Sequence, residues 1–144
     1  MRANTGIPSH DLTAVGDVAK MVEANGFHGV STQENRHNPF LPLAIAATQT
    51  SNLELRTSVA IAFARSPMAT ANLAWDLQAA SNGRFTLGIG SQVKGHNIRR
   101  FSVGWSPPAP RMREYVQALR AIWDCWQNGS QLSYQGDHYQ FSLM

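Results

Sequence analysis

Cysteine and charged side chains are both scarce in this sequence. There is one cysteine, Cys125, and only 15 % of the 144 residues are charged. A single cysteine excludes an internal disulfide and any metal cluster built from several cysteines. Cys125 lies between Trp123 and Trp126 in a predicted helix, so we expect it to pack in the core. A low charged fraction is typical of parallel strands buried on both faces.

Several functional signals are also missing. No run approaches the ~18 apolar residues of a membrane span, and the first residues lack the apolar core of a secretory signal. The five histidines are scattered, which argues against a metal site. Basic and aromatic residues alternate only at Arg99 to Phe101, too little for a nucleic-acid surface. We therefore expect a soluble, cytoplasmic protein with no nucleic-acid or membrane partner.

Positive charge is concentrated in one part of the chain. Six of the twelve basic residues lie between Lys94 and Arg120, and Glu114 is the one acidic residue among them. Such a cluster suits a phosphate or another anion. It is equally typical of a solvated loop and helix face, and the sequence leaves both interpretations open.

The clearest pattern in the sequence runs from Leu53 to Gln92. It predicts a strand over Leu53 to Ala64, a helix from Ser66-Pro67 to about Asn82, and a second strand over Phe85 to Gly90. A strand, a helix and a further strand in this order build parallel sheets.

The same alternation is predicted on both sides of this unit. Ser9 or Asp11 is expected to cap the first helix, and Gly26 to end it in a left-handed conformation. Residues 91–110 are predicted to be a long loop. The remaining predictions are a remnant of a first strand in 1–8, a strand over 27–32, a hairpin over 131–141, and helices over 11–25, 41–51 and 111–127.

Alternating strands and helices indicate a parallel α/β domain. A doubly wound dinucleotide fold would need a G-x-G-x-x-G turn, and the only candidate, Gly88-Ile89-Gly90, has Val93 at the third glycine position. A (β/α)8 TIM barrel fits better, but a complete one takes roughly 250 residues. The sequence therefore predicts a single incomplete domain over residues 1–144, with about four βα units, a C-terminal hairpin and two open sheet edges.

A family resemblance is carried by specific stretches. The pattern L-x-x-x-S-x-G-R-F-x-L-G-x-G covers Leu77 to Gly90, and it is accompanied by similar residues at 26–30, 55–60, 64–67 and 112–115. With these, the whole chain resembles the N-terminal half of the bacterial luciferase-like flavin and deazaflavin oxidoreductases. Ser91-Gln92 and the loop from Phe101 to Trp105 resemble the branch that uses coenzyme F-420.

The resemblance implies an oxidoreductase that transfers a hydride between the deazaflavin coenzyme F-420 and a small-molecule substrate. The alternatives are an FMN-dependent monooxygenase and a truncated half-barrel without activity of its own. In barrels the phosphate of a cofactor is often held near strands seven and eight, which a half-barrel lacks. We therefore expect weak activity alone, and either a homo-oligomer or a complementing second half.

The resemblance also implies where protons are handled. Barrel sites lie at the C-terminal ends of the strands, and Glu34, Asn35 and His37 follow the strand predicted over 27–32. Many relatives have an Asp-His pair where this chain has Glu34-Asn35. Glu34 or His37 would act as the general acid or base, and Asn35 would contact the cofactor. The alternative for Glu34 is a salt bridge to Arg36 or Arg65.

The remaining implied cofactor contacts lie on the next two strands. Ser58-Val59 matches a position at which relatives often place a non-proline cis peptide behind the flavin ring, and Ala60 follows it. Gly90 would allow the ring to approach the backbone, while Ser91 and Gln92 would hydrogen-bond to its polar atoms. Further candidates for substrate or tail contacts, or for covering the pocket, are Lys94, His96, Arg99, Arg100 and Trp105.

Overall fold

The structure, a computed structural model, describes residues 2–144. The chain divides into two compact units. The first is formed by the chain up to Ala60 together with Leu73–Ile89, and the second by Ile61–Asn72 and Gly90–Met144.

Eight strands and five helices occur in the described part of the chain. The helices are α1 (Val15–Ala24), α2 (Leu41–Gln49), α3 (Pro67–Ala80), α4 (Lys94–Arg99) and α5 (Pro108–Asn128). The strands are β1 (Asn4–Gly6), β2 (Gly29–Thr32), β3 (Glu54–Thr57), β4 (Ala60–Ile61), β5 (Phe85–Thr86), β6 (Ile89–Gly90), β7 (Tyr134–Gln135) and β8 (Gln140–Phe141).

The first unit is built on a four-stranded parallel sheet in the order β1-β2-β3-β5. This confirms the predicted parallel α/β fold. Alternate residues of a strand point to opposite faces, and the buried face carries Val30, Leu55 and Phe85 in one register. Helix α2 packs against β2, β3 and α1, so the core of this unit lies between the helices and this face.

The opposite face of the same sheet is polar and only half-buried. Ser31, Arg56 and Thr86 share one register across three strands. Arg56 also pairs with Glu54 two residues earlier on the same face, at 2.7 Å between Nη2 and Oε2. Because polar side chains line this face, its burial contributes little to the core of the unit.

Both strands of the central pattern are shorter than predicted. The first divides into β3 and β4 at a cis peptide bond between Ser58 and Val59, and residues 62–65 are not a strand. The second divides into β5 and β6 at Leu87 and Gly88. There the Thr57 hydroxyl donates to Gly88 O (2.7 Å) and accepts from Gly88 N (2.9 Å). A side chain therefore takes the place of the regular main-chain hydrogen bonds between the two strands.

The predicted cap of α1 is wrong. The helix begins at Val15 without a side-chain cap, because Ser9 and Asp11 lie too far upstream. Asp11 Oδ1 instead accepts from the main-chain N–H and the hydroxyl of Thr13, at 3.0 and 2.6 Å, which fixes the turn before the helix. The predicted end is confirmed, since Gly26 is left-handed with a φ of 77°.

The second unit contains a helix where only a loop was predicted. Helix α4 occupies Lys94–Arg99 within the stretch assigned to a loop. Its six residues are too few, and too polar, to show a helical period in the sequence. Helix α5 begins at Pro108, three residues earlier than predicted, and ends at Asn128, directly before Gly129, which has a φ of 71°.

The C-terminal hairpin is confirmed, with Tyr134 paired to Phe141 and Gln135 to Gln140 in antiparallel register. Within residues 2–144, none of the helices is both long and apolar enough to cross a bilayer.

Candidate functional site

The implied site residues of the first unit follow two neighbouring parallel strands. Thr32 and Thr57 end β2 and β3 in the same register. Beyond them Ser58 N donates to Thr32 O at 2.6 Å, and Glu34 N donates to Val59 O at 3.2 Å. These bonds bring Glu34 and the Ser58–Val59 peptide together at the carboxyl edge of the sheet, where parallel α/β enzymes place their sites.

The Ser58–Val59 peptide is cis, as the resemblance implies. Its two side chains are exposed, Val59 by 46 %. An exposed valine is unusual here because the residues on either side, Thr57 and Ala60, are almost fully buried. Ala60 N donates to Gly88 O at 2.8 Å, which fixes the chain directly after the cis bond. The result is a small apolar surface held on a rigid strand end.

Asn35 and His37 lie exposed on the loop between β2 and α2. The loop is fastened at its far end, where the Thr32 hydroxyl donates to Pro39 O (2.7 Å) and Phe40 N donates to Asn38 Oδ1 (2.8 Å). Asn38 was not predicted to fix this loop, although Asn-Pro is a common turn signal. Asn35 and His37 therefore present polar groups from a loop with fixed ends.

Arg84 is the principal residue whose role the sequence analysis missed. Its guanidinium donates to the carbonyls of Ala47, Thr50, Leu53 and Ser81 and to the Thr50 hydroxyl, at 2.7 to 3.1 Å. It thereby joins the end of α2, the start of β3 and the start of β5. Its place in the Gly-Arg-Phe part of the family pattern was the one sign in the sequence that this arginine has a role.

Gly88 is required by close packing. A Cβ at this position would collide with the main-chain oxygen of Thr57. The glycine of the family pattern therefore allows β3 and the chain after β5 to approach each other behind the Ser58–Val59 peptide.

The other three implied cofactor residues lie in the second unit. Gly90 O accepts from Ala62 N at 2.9 Å. Ser91 O accepts from the side chain of Asn97, also at 2.9 Å. Gln92 is left-handed with a φ of 59°, and its Oε1 accepts from Val93 N at 2.9 Å. We call Gly90, Ser91 and Gln92 the rim.

The basic residues proposed for substrate or tail contacts fall on α4 and directly after it. Lys94, His96, Arg99 and Arg100 are all exposed. The guanidinium of Arg100 lies 4.9 Å from the centre of the Phe101 ring. Not every residue of the predicted basic cluster is free to bind an anion, because Arg111 makes other contacts.

Arg111 lies in an aromatic cluster of the second unit. Its guanidinium is 4.3 Å from the Phe63 ring centre, and it donates to the Tyr139 hydroxyl and to Gly104 O, both at 3.0 Å. Tyr139 stands edge-on to Tyr115, whose buried hydroxyl bonds to Thr70. Burial raises the pKa of Tyr115 to about 12, against the lowering effect of the Thr70 bond. These groups hold the unit together.

Comparison with known proteins covers almost the whole chain. The model of the luciferase-like monooxygenase family matches residues 2–143. An uncharacterised protein of Mycobacterium tuberculosis is 49 % identical over 144 residues, which is all of this chain and 42 % of that protein. The 5,10-methylenetetrahydromethanopterin reductase of Archaeoglobus fulgidus is 30 % identical over 125 residues, 85 % of this chain and 36 % of the reductase.

Solved structures show the same fold at lower identity. The oxygenating constituent of 3,6-diketocamphane monooxygenase from Pseudomonas putida, in complex with FMN, matches with a TM-score of 0.82 at 16 % identity, over 98 % of this chain and 44 % of that one. The coenzyme F-420 dependent tetrahydromethanopterin reductase of Methanopyrus kandleri matches with a TM-score of 0.76 at 20 % identity, over 97 % and 44 %.

The chain thus spans less than half the length of the relatives it matches, and its fold is the parallel α/β arrangement of half a luciferase-like barrel. By the match along nearly its whole length, the chain belongs to the luciferase-like monooxygenase family.

Proposed function

We propose that this chain supplies the ring-binding wall of a luciferase-like oxidoreductase that transfers a hydride with coenzyme F-420. The observation that carries the proposal is the exposed Val59 on the cis peptide, bonded through Val59 O to Glu34 N at the carboxyl edge of the sheet. An apolar surface beside polar loop groups suits one face of a planar, heteroatom-edged ring. The residues present therefore fit a flavin or deazaflavin.

Each implied residue has a distinct part in this proposal. Val59 would lie against the ring, while Ser58 and Asn35 would hydrogen-bond to its polar edge. Ala60 is buried and holds the bulge through Gly88 O at 2.8 Å. The rim would contribute main-chain and side-chain hydrogen bonds, with Gly90 offering no Cβ to obstruct the ring.

Glu34 and His37 would move protons. A carboxylate and an imidazole are the side chains that most often serve as general acids and bases. Glu34 follows β2 by two residues and is tied to the cis bulge by its own N–H, while His37 is exposed on the same loop. When bound, the deazaflavin supplies the hydride chemistry, and the protein orients the ring and manages the proton.

An FMN-dependent monooxygenase is the second candidate. It is supported by the FMN complex of the diketocamphane monooxygenase constituent, whose fold this chain shares. The Methanopyrus reductase shares the fold as well and is F-420 dependent, and F-420 is preferred because Ser91-Gln92 and the loop from Phe101 to Trp105 resemble that branch. A half-barrel that associates without activity of its own is the non-enzymatic alternative.

A fluorescence titration of the purified chain with F-420 and with FMN tests these candidates. We expect saturable binding of F-420 that is tighter than that of FMN. The variant Val59→Glu places a charge against the ring and should weaken binding at least about tenfold, which corresponds to ~1.4 kcal/mol. Met21→Glu is the matched control, because Met21 is similarly exposed, by 57 %, on α1.

Tighter binding of FMN would favour the monooxygenase, and binding of neither would overturn the enzyme proposal for this chain. Equal losses in the Val59 and Met21 variants would show that Val59 has no place at the ring.

A further inference from the structure

Asn97 is a fully buried polar side chain directly beside the rim. It lies on α4 with 0 % exposure, and its Nδ2 donates to Ser91 O at 2.9 Å and to Val93 O at 3.2 Å. Both partners are carbonyl oxygens, which can only accept, so the orientation of the amide is settled by its bonds. The sequence analysis gave this residue no role.

Two features separate the Ser91 bond from ordinary helix stabilisation. Val93 O already accepts from the main-chain N–H groups of His96 and Asn97, both at 3.1 Å, so the side-chain bond there is an addition. Ser91, by contrast, lies outside the helix. The Asn97 side chain therefore ties the rim to α4.

The side-chain amide of Asn97 does not use all of its hydrogen-bonding groups. Its Oδ1 is buried without a hydrogen-bond partner, and an unsatisfied buried acceptor destabilises a fold. A leucine of similar volume would fill the site without that loss. Departures of this kind from optimal stability are expected at positions that serve a site.

Because the peptide bond is planar, the hydrogen bond to Ser91 O also determines the direction of the Gln92 N–H. The C=O of Ser91 and the N–H of Gln92 belong to one planar trans unit and point in opposite directions. By drawing Ser91 O toward α4, Asn97 turns the Gln92 N–H away from α4. Gln92 has a left-handed φ of 59°, and the bond from Val93 N to Gln92 Oε1 restrains the ψ of the same residue.

We propose that Asn97 is a positioning residue that aims the main-chain N–H of Gln92 at a hydrogen-bond acceptor on the cofactor ring. Asn97 itself touches no ligand, because it is fully buried. The proposal rests on the proposed function in so far as the rim contacts the ring. The orientation of the Gln92 N–H is a property of the cofactor-free protein and is measurable without it.

The first test is Asn97→Leu, with three measurements on the whole chain. The free energy of unfolding should change by less than about 1 kcal/mol, because removal of the unsatisfied acceptor offsets the loss of the bond to Ser91 O. The residual dipolar coupling of the Gln92 N–H in the cofactor-free protein, which reports the direction of that bond, should lose most of its magnitude, because Ser91 O is no longer held by Asn97. The Kd for F-420 should rise about tenfold.

The second test is Asn97→Asp, which keeps the shape and replaces the donor by a group that donates only when protonated. Binding of F-420 should be weak at pH 8 and recover as the pH falls toward 5, because the neutral carboxyl again donates to Ser91 O. The wild type should lack this recovery. The control is Asn25→Asp, which makes the same change on an amide that donates to Met21 O at 2.7 Å on α1.

An unchanged dipolar coupling of the Gln92 N–H in a folded Asn97→Leu would overturn the positioning role, as would a pH response shared by the Asn25 control. If the wild type binds neither F-420 nor FMN, the proposed function fails, and the coupling measurement still decides whether Asn97 orients the rim.

Discussion

Gly88 shows how a single missing Cβ determines the geometry of the first unit. Its N–H and C=O both bond to the Thr57 hydroxyl, and its Cα faces the Thr57 carbonyl. The sequence offered a reason for this glycine only as part of a family pattern. The structure gives the physical reason, which is the close approach of two chain segments behind the cis peptide.

We predict that Gly88→Ala destabilises the chain by more than about 2 kcal/mol, because the new methyl group must displace the backbone of β3. Chemical denaturation followed by tryptophan fluorescence measures the change. Gly104→Ala is the control, since a Cβ there meets nothing within 4 Å. Equal stabilities of the two variants would contradict the packing argument.

Arg84 acts at the same scale through hydrogen bonds. Four of its acceptors are main-chain carbonyls, some of them at the end of α2, where the last carbonyls of a helix lack partners within the helix. A lysine has three donors and no planar fork, so it cannot reproduce the set.

We predict that Arg84→Met costs about 2–3 kcal/mol of unfolding free energy, the range for lost hydrogen bonds to a charged group. Arg120→Met, on the exposed side of α5, is the control and should change stability by less than about 0.5 kcal/mol. A similar small effect in both variants would show that the Arg84 bonds contribute little.

At the scale of elements, a carboxylate of α5 holds the turn of the C-terminal hairpin. Glu114 Oε2 accepts from His138 N at 2.7 Å. The bond from His138 N lowers the pKa of Glu114, outweighing its burial, with smaller contributions from the Asp137 and Tyr139 amides and the His138 charge. The pKa is thus below its unfolded value of 4.5. This contribution is complete above the unfolded pKa and is lost as the pH falls through the folded one.

We predict that hydrogen exchange at the His138 amide speeds up as the pH falls from about 5 to 3, relative to its intrinsic rate. In Glu114→Gln the exchange should already be fast at pH 7 and respond less to acid. Asp137→Asn is the control, because it removes a charge from the same turn and leaves Glu114 intact. If the pH dependence of exchange at His138 were the same in Glu114→Gln as in the wild type, the Glu114 carboxylate would not be what holds the hairpin turn.

At the scale of the whole molecule, the sheet edges bear on association. In the first unit β1 and β5 are the outer strands of the four-stranded sheet, and unpaired edges favour association. This chain spans 42 % of its 49 % identical relative from Mycobacterium tuberculosis.

We predict that the isolated chain self-associates, with a mass above that of one copy in light scattering behind size exclusion. Dilution should shift it toward the monomer. A monomer at every concentration would contradict the edge argument and would favour a chain whose edges are covered in another way.

The sequence by itself determined the fold class, the family and the approximate position of most elements. Buried strands alternate with apolar helices, and Gly26 and Gly129 ended their helices as local rules require. Local chemistry was sufficient at these positions because the signal and the structure lie within a few residues of each other.

Only the tertiary structure decided what depends on contacts between distant segments. The break at Gly88 coincides with its bonds to Thr57 on a neighbouring strand, and Arg84 reaches acceptors up to 37 residues away. Helix α4 is too short to show a period, and Asn97 matters only because its amide reaches Ser91 O. These features depend on which segments meet in space, which no spacing within one segment specifies.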